Sequence, residues 1–119
     1  MTLADKIEAA ERGSRELDLL VAQWARDNRI DLTPFYPGPI NYDVALWLER
    51  HDWSPTTSID AAMTLVPEGW MRFDVDATAP ELGVDWTLHG RKQSATGTAA
   101  TPALALCAAA LRAKAQADG

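Results

Sequence analysis

His51 and Asp52 stand side by side in "LERHDW", and a histidine next to a carboxylate is the pairing from which a general base is made. Adjacent residues seldom face one another, and no serine or cysteine is spaced to act as their nucleophile, so the pair reads as a surface turn. A second set lies in "MRFDVD" and "VDWTLH". Strand alternation there puts Asp74 and Asp76 on one face, with Asp85 and His89 on the same face of a neighbouring strand. Carboxylate oxygens of this kind suit magnesium or calcium, and a metal-dependent enzyme is one reading of them. A solvated polar face is the other, and it is the reading adopted. Trp70 and Arg72 share the polar parity of their strand and offer an indole and a guanidinium to a flat ligand or a partner, unless Trp70 covers the edge of the last helix. Cys107, among Leu106, Ala108 and Leu111, has nothing beside it to stabilise a thiolate and reads as core. No phosphate-binding loop, His-Glu-x-x-His helix or Gly-x-Ser-x-Gly elbow is present. No catalytic residue, metal site or cofactor is expected.

The elements that must position these residues follow from periodicity. Leu3, Ile7 and Ala10 recur at helical spacing before Gly13; then Ser14 caps a helix over about 15–28 whose apolar stripe is Leu17, Leu20, Val21 and Trp24. Residues 30–42, "IDLTPFYPGPINY", hold three prolines and a glycine and read as a loop, whose Phe35 and Tyr36 fold back over the core or grip a partner. "DVALWLE" at 43–49 fits a helix through Val44, Trp47 and Leu48 and a strand through Val44, Leu46 and Leu48, with the helix preferred. In "SIDAAMTLVPEGW", Ser58 caps a central helix over about 58–66, Pro67 disfavours helical geometry at Val66, and Gly69 permits a tight turn.

From Trp70 the period becomes two. An antiparallel hairpin over about 70–76 and 84–89 places Met71, Phe73 and Val75 on the apolar side with Val84, Trp86 and Leu88. The apolar faces coincide only if paired residue numbers sum to an odd value, as in Phe73 with Trp86 or with Leu88. "GRKQSATGTAA" at 90–100 reads as a loop of polar and small residues. Thr101 and Pro102 then open a C-terminal helix over about 101–116, uncharged from Pro102 to Leu111 and therefore covered on more than one side. Two strands make a small sheet whose edges ask to be covered, either by a homo-oligomer that continues the sheet or by a strand within 40–48.

A chain of 119 residues fits one domain, 1–119, and its 47% hydrophobic content is sufficient to give that domain a core. Of the net charge of −6, residues 43–85 carry −7, nine Asp and Glu against Arg50 and Arg72. Such a surface repels phosphate backbones, so direct nucleic-acid binding is not expected, whereas a basic protein is a fitting partner. One cysteine allows no internal disulfide, and "MTLADKIEAAERGS" is neither a signal peptide nor an anchor. A cytoplasmic protein with no membrane segment is expected.

Two stretches, "TTSIDAAMTLVPEGW" and "ATPALALCAAALRA", together resemble the small phage and prophage proteins grouped as the phage ABA sandwich domain. The likeness spans roughly residues 55–73 and 98–113, is looser in "RELDLLVAQ" at 15–23, and does not extend to residues 30–53 or the hairpin turn. It implies an α+β, layered α/β/α sandwich and a phage or prophage origin. The family carries no established activity or catalytic residues, so none transfers. The function expected is that of a non-enzymatic accessory protein acting on a host or phage protein in the bacterial cytoplasm, and countering host defence is one such role. The alternative is a binder or sponge for a nucleotide signal, held by Arg72, Arg91, Lys92 and the N-terminus of the last helix.

Overall fold

A computed structural model describes residues 2–30, 32, 35, 36, 43–70, 72–76 and 83–118, without the side chains of Arg72, Phe73 and Asp118. Thr2 and Asp5 form a reciprocal capping box that starts helix α1 (Leu3–Ala9), and Ser14 accepts from the Leu17 amide to start α2 (Arg15–Asp27). Asp43 caps α3 (Val44–His51), so the ambiguous segment is a helix, and the strand sought within 40–48 is not at its described positions. Val44, Trp47 and Leu48 are buried while Leu46 is exposed, as the helical reading requires.

Ser58 caps α4, which is α-helical only over Ile59–Met63. The chain continues to Val66 in tighter i→i−3 turns, because Pro67 excludes helical geometry at the residue before it. The Trp70 amide then bonds Pro67 O at 3.2 Å across a turn with Gly69 at φ 90°. Ser58, Pro67 and Gly69 thus have structural roles in this stretch, while Ile59 is exposed.

The sheet consists of β1 (Arg72–Asp76), β2 (Val84–His89) and β3 (Ser94–Ala99), antiparallel in the order β1-β2-β3. Phe73 pairs with Leu88 and Val75 with Trp86, which satisfies the odd-sum condition. β3 corrects the expectation of a loop over 90–100. Gly90 N bonds Gln93 O at 2.7 Å, closing a hairpin whose tip is Arg91 and Lys92, and β3 alternates with Ala95, Gly97 and Ala99 buried and Ser94, Thr96 and Thr98 exposed. Its inward residues are too small to produce a visible hydrophobic period. They are small because α5 (Pro102–Asp118) crosses directly above them: a Cβ on Gly97 would lie 2.0 Å from the Ala105 carbonyl oxygen.

Helix α5 packs on β2 and β3 with one side and on α1 and α4 with the other. Hence Leu104 through Ala110 are all fully buried, which explains a helix that is apolar all round. The chain is α+β, as expected, a helix-packed sandwich whose layers run sheet, α5, then α1 and α4. The opposite face of the sheet is exposed at Asp74, Asp76, Asp85, Ser94, Thr96 and Thr98.

The two edges of the sheet differ. Along the outer edge of β3, Glu8 accepts from the Thr98 amide at 2.7 Å, Arg112 donates to Thr96 O at 2.8 Å, and Gln116 donates to Ser94 O at 2.9 Å. Arg112 also grips Glu8 with both guanidinium nitrogens at 2.6 Å and Asp5 at 2.9 Å. The Arg112 hydrogen bonds hold the Glu8 carboxyl below its ordinary range, and Glu8 in turn raises Arg112. On β1, by contrast, Val75 is 49% exposed although it shares the apolar side of the sheet, because α5 covers β2 and β3 only.

Candidate functional site

Asp74 lies opposite Thr87 and Asp76 opposite Asp85. His89, one pair along, bonds Asp74 diagonally, Nε2 to Oδ2 at 2.8 Å. Thr87 and Thr96 join hydroxyls at 3.0 Å on the same face. The strand alternation therefore brings Asp74, Asp76, Asp85 and His89 to one open surface, as their parity predicts. For metal chemistry the set is incomplete, since no three His, Cys, Asp or Glu among the described residues are disposed to share an ion. A flat surface rich in carboxylates and hydroxyls remains, and it suits cationic side chains arriving from outside.

A second candidate sits at the hairpin tip. Trp70 is 6% exposed, and its indole lies on Gly90, where a Cβ would come 3.0 Å from the ring. One side of the ring helps to line a cavity of about 310 Å³ together with Glu68, Gly69, Arg91, Lys92 and Gln93. Three residues expected to bind, Trp70, Arg91 and Lys92, therefore meet; the Arg72 side chain is outside the described structure. The N-terminus of α5 does not join them. Thr101, Pro102 and Ala103 line a separate cavity of about 340 Å³ with Arg12 and Thr56. The reason is β3 itself, whose six residues, at roughly 3.3 Å each, carry the chain away from the tip before α5 begins.

No family model, curated protein or solved structure matches the chain. The chemistry of its surfaces is therefore what bears on function.

His51 does not form a base with Asp52. Its ring lies tilted against Trp47, four residues earlier on α3, at 4.8 Å between ring centres, and meets Tyr36 at 5.8 Å. Tyr36 also sits edge-on to Trp47 at 5.9 Å, and Trp47 edge-on to Trp53 at 5.7 Å. Burial, with the Asp52 charge adding to it, raises the Tyr36 phenol. Asp52 itself adopts a left-handed conformation, φ 48°, that ends α3. The pair is thus a helix terminus, with the histidine turned inward. The two loop aromatics part company: Tyr36 covers the core, and Phe35 is 59% exposed. The aromatic cluster is absent from the sequence-based expectations, although the i,i+4 spacing of Trp47 and His51 on one helix was a usable signal.

Cys107 is fully buried in α5, and burial pushes its thiol far above the ordinary range. The core reading holds, because an un-ionised buried thiol is no nucleophile. Among the described residues no helix is long and apolar enough to cross a membrane.

Proposed function

We propose that this chain is a small phage- or prophage-encoded accessory protein that works without catalysis in the host bacterial cytoplasm, binding a protein partner through the open acidic face of its sheet. One observation carries the reading: α5 occupies one side of the sheet, while the other presents Asp74, Asp76 and Asp85 to solvent beside Thr96 and Thr98. An antiparallel sheet commonly leaves one face to solvent, and here that face carries the carboxylates of Asp74, Asp76 and Asp85. Such a face repels nucleic acid and attracts a basic protein surface, including one that itself grips nucleic acid. Countering a host defence protein is a role of that kind. The test is affinity capture from infected or lysogenic cells, comparing wild type with Asp74→Ala/Asp76→Ala. Losing two rim charges is expected to weaken capture about tenfold and to reduce its dependence on salt. Equal capture by both proteins would remove the acidic face from the contact.

The cavity beside Trp70 favours a second reading, a binder of a small anionic ligand such as a cyclic nucleotide. An aromatic ring and two cations around about 310 Å³ match a base and a phosphate in kind, though Glu68 opposes the charge. Calorimetry and thermal shift across cyclic nucleotides should then give a signal that Arg91→Ala/Lys92→Ala abolishes. Silence across the whole series would end this reading.

A further inference from the structure

The two edges of the sheet are built for different purposes. β3 has its outward backbone groups at Ser94, Thr96 and Thr98, and three side chains from α1 and α5 bond one group on each. The Gly90–Gln93 bond sets the alternation of the whole sheet: residues 84, 86 and 88 bond towards β3, while 85, 87 and 89 bond towards β1. Residues 72, 74 and 76 answer them, so Phe73 and Val75 direct their amides and carbonyls away from β2. No hydrogen bond joins these outer groups to another described residue. Along the same edge Val75 is half exposed on the side that α5 leaves uncovered. An edge left unbonded by the described residues, with an apolar flank, is a template for another strand.

We propose that β1 pairs antiparallel with β1 of a second copy of this chain about a two-fold axis at Phe73, giving one six-stranded sheet. Charge selects both the occupant and the register. Outward groups sit at odd positions, so a symmetric pairing centres on residue 73, 74 or 75. Centring on 75 sets Asp74 against Asp76 of the other copy twice, and centring on 74 sets Asp74 against Asp74. Centring on 73 sets Arg72 of each copy opposite Asp74 of the other, with no carboxylate facing another. These are non-hydrogen-bonded pairs, in which facing side chains come closest. Within each copy Asp74 already meets His89 through Oδ2. In the product both outer strands are β3, each with one outward group of Ser94, Thr96 and Thr98 bonded by a side chain. The pairing does not need the partner reading, though both involve Asp74, and its test reads mass where the partner's test reads capture.

Native mass spectrometry and light scattering on the full chain test it. The expected mass is about 26 kDa, twice the 13.0 kDa chain. Arg72→Asp alone and Asp74→Arg alone each set like charges opposite one another twice, and each is expected to weaken the dimer by about tenfold or more while circular dichroism stays native. The double exchange Arg72→Asp/Asp74→Arg restores the dimer, because each pair is rebuilt with its signs reversed. In the register centred on 74 the same double variant sets the two introduced guanidinium groups against each other and fails. A wild-type protein that remains monomeric at tens of micromolar overturns the proposal, whatever other strand its edge accepts. So does a dimer indifferent to both single changes.

Discussion

Gly97→Ala is expected to lower the melting temperature by about 10 °C or more, from a cost of roughly 3 kcal/mol in a domain of this size. The added methyl would stand 2.0 Å from Ala105 O, 2.8 Å from Ala109 N and 3.0 Å from Ala105 C. All three are backbone atoms of α5, so no side-chain rotation relieves the clash. The helix must move away from β3, and α5 is the element against which the sheet, α1 and α4 all pack. Gly69→Ala is the control. Gly69 has φ 90° but nothing within 4 Å of its would-be Cβ, so that change brings only left-handed strain, about 1 kcal/mol. Thermal unfolding followed by circular dichroism separates the two. Equal losses in both variants would mean that close packing at Gly97 is not what makes it a glycine.

The same glycine explains why β3 escaped notice in the sequence. A strand is recognised by the contrast between its faces, and "SATGTA" sets Ala and Gly against Ser and Thr, a contrast too weak to see. The intimacy of the helix and sheet removed the signal that would have revealed the strand. Where inward residues are large, as with Val84, Trp86 and Leu88, the strand and its register were legible. Helix starts were equally legible, because Ser14, Ser58 and Thr101 each bond an amide three residues on. The candidate surfaces divided along the same line. Asp74, Asp76, Asp85 and His89 share a face by parity alone, whereas the meeting of Trp70 with Arg91 and Lys92 depends on how the hairpin folds against the turn at Pro67–Trp70. The caps on β3 lay beyond local reasoning. Glu8 and Thr98 are 90 residues apart, and nothing in the neighbourhood of either names the other.

Asp18 poses the converse problem, a charge that a helical pattern assigns to the surface and the fold buries completely. Its Oδ1 accepts from the Thr56 amide at 3.0 Å and from the Thr56 hydroxyl at 2.7 Å, while Oδ2 meets Arg15 Nη1 at 3.0 Å. Arg15 reaches on to Trp53 O at 2.9 Å and Leu48 O at 3.3 Å, and the Thr56 hydroxyl accepts from the Ser14 amide at 3.1 Å. One carboxylate therefore ties the start of α2 to the segment between α3 and α4. Asp18→Ala strands the buried Thr56 groups, a loss that reaches roughly 3–5 kcal/mol for fully buried pairs; with the Arg15 side chain 50% exposed and able to turn to water, about 3 kcal/mol is expected. Thr56→Val keeps the side-chain shape and removes two hydrogen bonds, the hydroxyl's to the Asp18 carboxylate and the Ser14 amide's to the hydroxyl, about 2–3 kcal/mol together. The double variant should cost less than the sum by about 1–2 kcal/mol, since each single change already breaks the bond between hydroxyl and carboxylate. Urea unfolding of the four proteins measures that coupling. Additive losses would show that Asp18 and Thr56 act separately, and that the carboxylate is held by Arg15 and the Thr56 amide without help from the hydroxyl.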